Sequence, residues 1–255
     1  MVTAMNEICY KKNFLVEVVA RIDFAGPAES LKGVVLPDEV QNTIKSRYKI
    51  YEPSKKKRQG IEITDQGVSA KSEEFHQWVY HGESREKSIT IDQHSVVVSL
   101  KQYKQYPDFK LDVIEPIRKI VELEGNIYIN RTGLRFVNIF EGLTPTFADM
   151  KKYFHPMIST SFDNIFDAEH CSRNFLITEY LHDEAKMRIQ SGIYNPDYPA
   201  KIKKKDFIVD IDAFVDTPHS VANVDDLFDK LHTLIQGKFE LCITDNMRKI
   251  LNEEQ

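Results

Sequence analysis

The sequence predicts an α+β fold in which antiparallel strands precede an amphipathic helix, and do so again in the second half of the chain. Three observations carry this expectation. Phe14, Val16, Val18, Ala20, Ile22 and Phe24 alternate without a break, which puts six apolar residues on one face of a strand. From Gly60 to Tyr103 the apolar period stays at two, between charged or glycine-containing turns. Leu111, Ile114, Ile117, Ile120 and Val121, and later Leu227, Leu231, Leu234 and Ile235, recur instead at helical spacing.

The first strand ends at Gly26-Pro27. A short helix follows: Pro37 suits a first helical position, Asp38 and Glu39 favour an N-terminal turn, and Val40, Ile44 and Tyr48 form one stripe. An antiparallel meander is expected next, with strands over 61–68, 75–81, 87–91 and 96–103. In the helix after it, Pro116 either marks the first turn or kinks the interior, because it has no N–H to donate. Gly125-Asn126 breaks that helix. The stretch 127–140 then reads as two strand pieces, apolar on both faces and therefore central.

Thr144-Pro145 is expected to open a short helix through Phe147, Met150 and Phe154, closed by His155-Pro156. A hairpin over 175–181 and 186–193 turns at His182-Asp183-Glu184, a strand covers 207–214, and Asn223 caps the last long helix. Residues 1–143 and 144–255 thus form two halves, whether separate or one continuous domain. Asn13-Phe14-Leu15-Val16 resembles Asn174-Phe175-Leu176-Ile177, and Ser88 to Asp92 resembles Phe207 to Asp212, as an internal duplication would leave them. A single α+β sheet is the plainer alternative. Each helix is expected on one face of its sheet, while periodicity leaves open whether the layers share edges or meet face to face.

Composition narrows the function. The 255 residues carry 34 Lys and Arg against 39 Asp and Glu, a net charge of -5, so any attraction for nucleic acid or anionic lipid must be local. Cys9, Cys171 and Cys242 match no metal spacing and suit a reducing compartment. The first twelve residues have no apolar run and no later segment is long and apolar enough for a span, so the expectation is a cytoplasmic protein without a membrane partner. No P-loop, GxGxxG after a strand, GxSxG, HExxH or CxxC pair occurs, which argues against a common enzyme class and for no cofactor.

Arg131-Thr132-Gly133-Leu134-Arg135-Phe136-Val137-Asn138, Leu231-His232 through Phe239-Glu240 to Ile243-Thr244-Asp245, and the early stretches Asn13-Phe14-Leu15 and Arg21-Ile22-Asp23 resemble an uncharacterised, sporadically distributed prokaryotic family of this length. The resemblance spans nearly the whole chain. It implies a prokaryotic protein of the kind carried by mobile or defence-related loci, and it supplies no catalytic residues.

The strongest binding candidate runs from Lys45 to Arg58. Arg47, Lys49, Lys55, Lys56, Lys57 and Arg58 would neutralise phosphates, and Tyr48 and Tyr51 would stack on unpaired bases. Lys101, Tyr103 and Lys104, and a second basic loop with Lys203, Lys204 and Lys205, are expected to add to the same surface. Solvated loops are the plainer account of such runs, and an acidic protein partner would use them equally well.

Asp210 and Asp212 share one face of a strand and form the minimum pair for a divalent metal, with Asp92 as a third contributor, although the sequence commits to no metal site. Arg21 and Asp23 are placed to pair with each other. Arg135 and Asn138 interrupt an apolar strand and must be hydrogen-bonded, as a structural network or as the floor of a pocket. His232 reads as a core-edge histidine, and Trp78 with His76 and Tyr80 reads as cross-strand aromatic packing.

The expectation is therefore a noncatalytic binding or accessory protein whose partner is a protein encoded by a neighbouring gene or an RNA or DNA strand. The alternatives are a metal-dependent phosphodiesterase or nuclease using Asp210 and Asp212, and the antitoxin of a toxin–antitoxin pair.

Overall fold

The computed structural model describes residues 8, 10–64, 67–125, 127–143, 147–167, 170–200, 202–203 and 206–252, with backbone alone for 57–64, 67–73, 147–148 and 164. In chain order the first part comprises β1 (Leu15–Phe24), α1 (Asp38–Lys45), β2 (Ile50–Thr64), β3 (Gly67–His81), β4 (Lys87–Asp92), β5 (Ser95–Leu100) and α2 (Tyr106–Glu124). The second comprises β6 (Tyr128–Phe140), α3 (Phe147–Tyr153), α4 (Pro156–Ser159), β7 (Asn174–His182), β8 (Ala185–Tyr194), β9 (Asp206–Val215), β10 (His219–Ser220), α5 (Val224–Cys242) and α6 (Asp245–Asn252).

The α+β expectation holds, and the two layers share edges: all described strands form one antiparallel sheet in the order β2-β3-β4-β5-β1-β6-β9-β8-β7, with β10 on β6. Strands β1 and β6 meet at the centre, Val19 opposite Arg135 and Asp23 opposite Arg131. Outward from that seam the order β1, β5, β4, β3 on one side matches β6, β9, β8, β7 on the other, with α2 after β5 and α5 after β9. The topology is thus two-fold, but along another alignment than the similar tetrapeptides suggest. Those equate central β1 with edge β7, and β4 with β9, whereas position in the sheet equates β1 with β6 and β5 with β9.

Side-chain alternation separates the two faces. Val18, Ala20 and Ile22 are fully buried on the helix side, together with Leu134, Val209, Ile211 and Ala213. Phe109 of α2 meets Phe228 of α5 over Phe136, and Phe154 at the end of α3 stacks on Phe207. That single aromatic and aliphatic layer is the core. Trp78 and Tyr80 lie within it, each 1% exposed, as aromatic packing predicts; Trp78 donates Nε1–H to the Val34 carbonyl at 3.4 Å and Gln41 donates to the Tyr80 hydroxyl at 2.9 Å.

Several expected boundaries move. The segment 61–68 is not one strand: it spans the end of β2 and the start of β3, which pair from Ile50 opposite His81 to Thr64 opposite Gly67. Since β3 pairs β4 only from Gln77 to His81, the remainder of this hairpin projects from the sheet as a two-stranded ribbon, roughly 30 Å long at about 3.3 Å per residue. Strand β6 is continuous, and Pro116 sits inside α2, where it denies the Asp112 carbonyl its usual helical donor. Asn223 is the N-cap residue of α5 but makes no side-chain cap bond; Ser220 caps the preceding turn by accepting from Ala222 N–H. Thr144 and Pro145 lie outside the described residues. Among those described, no helix is long and apolar enough to cross a membrane.

Candidate functional site

The expected cationic patch does not assemble, because the basic segments belong to regular elements that carry them apart. Arg47, Tyr48 and Lys49 lie between α1 and β2, at the same end of the sheet as Lys101 and Lys104, which follow β5. Lys55 and Lys56 are exposed on β2 and lead into the ribbon at the other end, and Lys57 and Arg58 continue it opposite Glu74 and Glu73. Strand β2 is one edge of the sheet, and a lysine run with Pro53 on an edge strand also discourages pairing with another chain. Lys203 pairs with Asp197 at 3.5 Å in the loop after β8, and Lys204 and Lys205 lie outside the described residues.

Nor do the tyrosines await bases. Tyr48 is 2% exposed and donates to Asp112 at 2.9 Å; burial, with the adjacent carboxylate, raises its pKa far above the ordinary phenol value and keeps it a neutral donor. Tyr51 stacks on Tyr80 at 4.7 Å, and Tyr103 packs edge-on against Phe136 at 5.5 Å. Arg47 is likewise committed, to Asp112 at 2.8 Å and Glu115 at 2.7 Å. Lys87 reaches Asp112 at 3.0 Å and lies 4.5 Å from the Tyr48 ring centroid. Asp112, 3% exposed on α2, therefore holds two cations and a hydroxyl and ties the α1–β2 connection, α2 and β4 together. This is a structural cluster.

What the fold presents instead is the face of the sheet that no described helix covers. Along β1 it carries Glu17, Val19, Arg21 and Asp23; along β6, Arg131, Gly133, Arg135 and Val137; along β9, Asp210, Asp212 and Phe214; along β8, Lys186, Arg188 and Gln190. Across β4 and β5 it is uncharged apart from Asp92, with Ser88, Thr90, Val97 and Ser99. Arginine side chains here keep substantial exposure: 56% for Arg21, 31% for Arg131, 46% for Arg135 and 55% for Arg188.

Each guanidinium is held by a carboxylate. Arg135 binds Asp210 in a fork, Nε at 2.9 Å and Nη2 at 2.6 Å, and this hydrogen bonding raises its pKa above the ordinary guanidinium value. Arg21 gives only Nε to Asp23, at 2.8 Å, and Arg188 grips Glu179 at 2.7 Å. Arg131 lies 3.9 Å over the Phe214 ring with Nη2 3.4 Å from Asp212, while its Nε is buried without a partner. Gly133 makes that posture possible, because a Cβ there would sit 3.2 Å from the Phe214 Cβ and 3.4 Å from the Arg131 guanidinium. A guanidinium has five N–H donors and one carboxylate engages at most two in a fork, so the ladder fixes each arginine while leaving donors directed outward.

The same ladder accounts for Asp210 and Asp212. Asp210 is spent on Arg135, and the Asp212 carboxyl is pushed up by burial, pulled back by Arg131 and pushed up again by Asp210. Asp92 lies four strands from β9, roughly 19 Å across the sheet, and accepts from His94 N and Ser95 N in the β4–β5 turn. Among the described residues no group of three or more His, Cys, Asp and Glu is placed to hold a metal ion. His232 stacks on Tyr106 with ring centroids 3.7 Å apart, and His182-Asp183 closes the β7–β8 hairpin.

Arg21, Arg135 and the Asp pair were visible in the sequence as polar interruptions of apolar strands. Lys186 and Arg188 were missed, although their spacing of two within a strand already places them on one face.

No protein-family model matches the chain, and no curated protein matches it. Among solved structures it is similar to the Methanococcus jannaschii TBP at 12% identity, over 87% of this chain and 97% of that one, with a TM-score of 0.27, a likeness too slight to bear on function.

Proposed function

We propose that this protein is a noncatalytic binding module that docks a nucleic-acid duplex on the uncovered face of its sheet. The observation that carries the reading is the set of five cations, Arg21, Arg131, Arg135, Lys186 and Arg188, on three strands of one exposed face, each held in place by a carboxylate, Lys186 by Asp216 at 2.7 Å, with N–H donors to spare. Arg131, and next to it Arg21 and Lys186, lie toward the end from which the β2–β3 ribbon projects, while Arg135 and Arg188 are in register with Ser99 near the other end. A two-stranded ribbon fits the major groove, where Lys55 and Lys56 would meet phosphates while the arginines reach the flanking backbone. A duplex suits the face better than a single strand. Phe214 is covered by Arg131, Tyr48 and Tyr103 pack internally, and Tyr51, 44% exposed, has one ring face stacked on Tyr80, which leaves few rings for base stacking. The same proposal keeps the protein in a prokaryotic cytoplasm as an accessory component of a mobile or defence-related locus.

Fluorescence anisotropy with a labelled duplex of about 20 base pairs tests it in about 50 mM salt. Wild-type protein is expected to bind and to weaken steeply with salt. Arg21→Glu with Arg188→Glu should lower affinity at least about tenfold, while Lys101→Glu with Lys104→Glu, beyond the end of β5, changes little. Absence of wild-type binding, or loss confined to the Lys101 and Lys104 variant, overturns the proposal. A neighbouring protein whose capture requires Arg21 and Arg188 while no duplex binds would assign the face to a protein partner instead.

A further inference from the structure

We infer that a cavity on the other side of the sheet, between α5 and strands β6 and β9, binds a small apolar carboxylate of benzene-ring size. Its volume is about 130 Å³, and Phe14, Phe136, Ile211, Ile235 and Phe239 wall it. A dry apolar cavity of about 150 Å³ accommodates benzene, so this slightly smaller one takes at most a single six-membered ring, with any substituent at its open rim.

Polar groups in the lining select the substituent. Gln236 lines the cavity, and its Nε2 is buried without a hydrogen-bond partner. Buried amide donors are normally paired, so this one asks for an acceptor that the described residues do not supply. Asn138, 5% exposed, spends its amide N–H on the Val209 carbonyl at 3.4 Å. The charge balance of the rim favours an anion. Glu240 is already engaged by the Tyr10 hydroxyl at 2.6 Å and by Arg248 at 3.0 Å. Lys104 has no acidic partner among the described residues, and Lys12 has only the Phe14 ring, 5.1 Å from its ammonium group. A ligand carboxylate at the rim would therefore meet two uncompensated ammonium groups and, once the Gln236 amide turns toward it, an idle donor, while its ring displaces water from the apolar wall. An amine would repel the same lysines and leave Gln236 unpaired.

Calorimetric titration of the full chain with phenylacetate and, separately, benzylamine tests the inference. Phenylacetate is expected to bind saturably, with a Kd between about 10 µM and 1 mM for so few atoms, and benzylamine should not bind over that range. Gln236→Glu, which replaces the donor by a negative charge, should weaken phenylacetate at least about tenfold. Phe239→Trp, which fills the cavity with a larger ring, should abolish binding while circular dichroism stays unchanged. Failure of wild-type protein to bind phenylacetate saturably overturns the inference. So does wild-type affinity in both variants, since the ligand would then sit elsewhere.

Discussion

Asp112→Ala is expected to destabilise the protein by about 3–5 kcal/mol, the range for removing one partner of a buried ionic cluster. The loss comes from what remains behind. Arg47 and Lys87, with side chains 27% and 21% exposed, would keep their charges without their shared counter-ion, and the Tyr48 hydroxyl would lose its acceptor inside the core. Because Asp112 joins the α1–β2 connection, α2 and β4, the defect would loosen the helix layer on that side of the sheet. Urea unfolding followed by circular dichroism reads the change. Asp112→Asn, which retains an acceptor for Tyr48, should fall between the alanine variant and wild type. A loss below about 1 kcal/mol for the alanine variant would show that the cluster is solvated and contributes no more than a surface pair.

Gly192→Ala carries a comparable cost by another route. At φ +151° the residue adopts a backbone conformation that L side chains rarely take. The added Cβ would fall 1.9 Å from the Asn174 carbonyl oxygen on β7, a backbone atom that no rotamer change removes. Strain of this kind costs about 1–3 kcal/mol before the clash is counted, so the expected loss is at least about 3 kcal/mol, concentrated where β7 pairs β8. Hydrogen exchange should show faster exchange of the β7 amides before the centre of the sheet opens. Unchanged exchange in β7, with unfolding within about 0.5 kcal/mol of wild type, would contradict the geometry.

Much of this fold was legible wherever one period dominated. Even-numbered residues of β1 from Val18 to Phe24 are the buried ones, as alternation required; α2 buries Ile114, Ile117 and Ile120 of its stripe but exposes Leu111, and α5 buries Leu227, Leu231 and Ile235 with Leu234 only partly covered. The basic run misled because composition outweighed period. Lys55 to Arg58 look like a loop by charge, yet they continue a strand that starts at Ile50, and an edge strand tolerates lysines that a central one would not. Tyr48 misled for the opposite reason: its α1 stripe pointed to the core, and the basic neighbours suggested a surface. The Arg–Asp ladder was half visible. Arg135 and Asp210 each interrupt apolar strands, but their sequence separation of 75 hides a pairing that only the β6–β9 register creates. Gln236 gave no signal at all, because an idle amide becomes visible only when its neighbours are known.

Lysine footprinting in the presence of the duplex addresses the docking face most directly. Reductive methylation followed by mass spectrometry compares Lys55, Lys56 and Lys186, on the ribbon and the uncovered face, with Lys45, Lys101 and Lys104 at the far end. Bound duplex is expected to protect the first three and leave the second three reactive. Protection of Lys45, Lys101 and Lys104 instead, or equal labelling of all six at saturating duplex, would contradict a nucleic-acid role for the uncovered sheet.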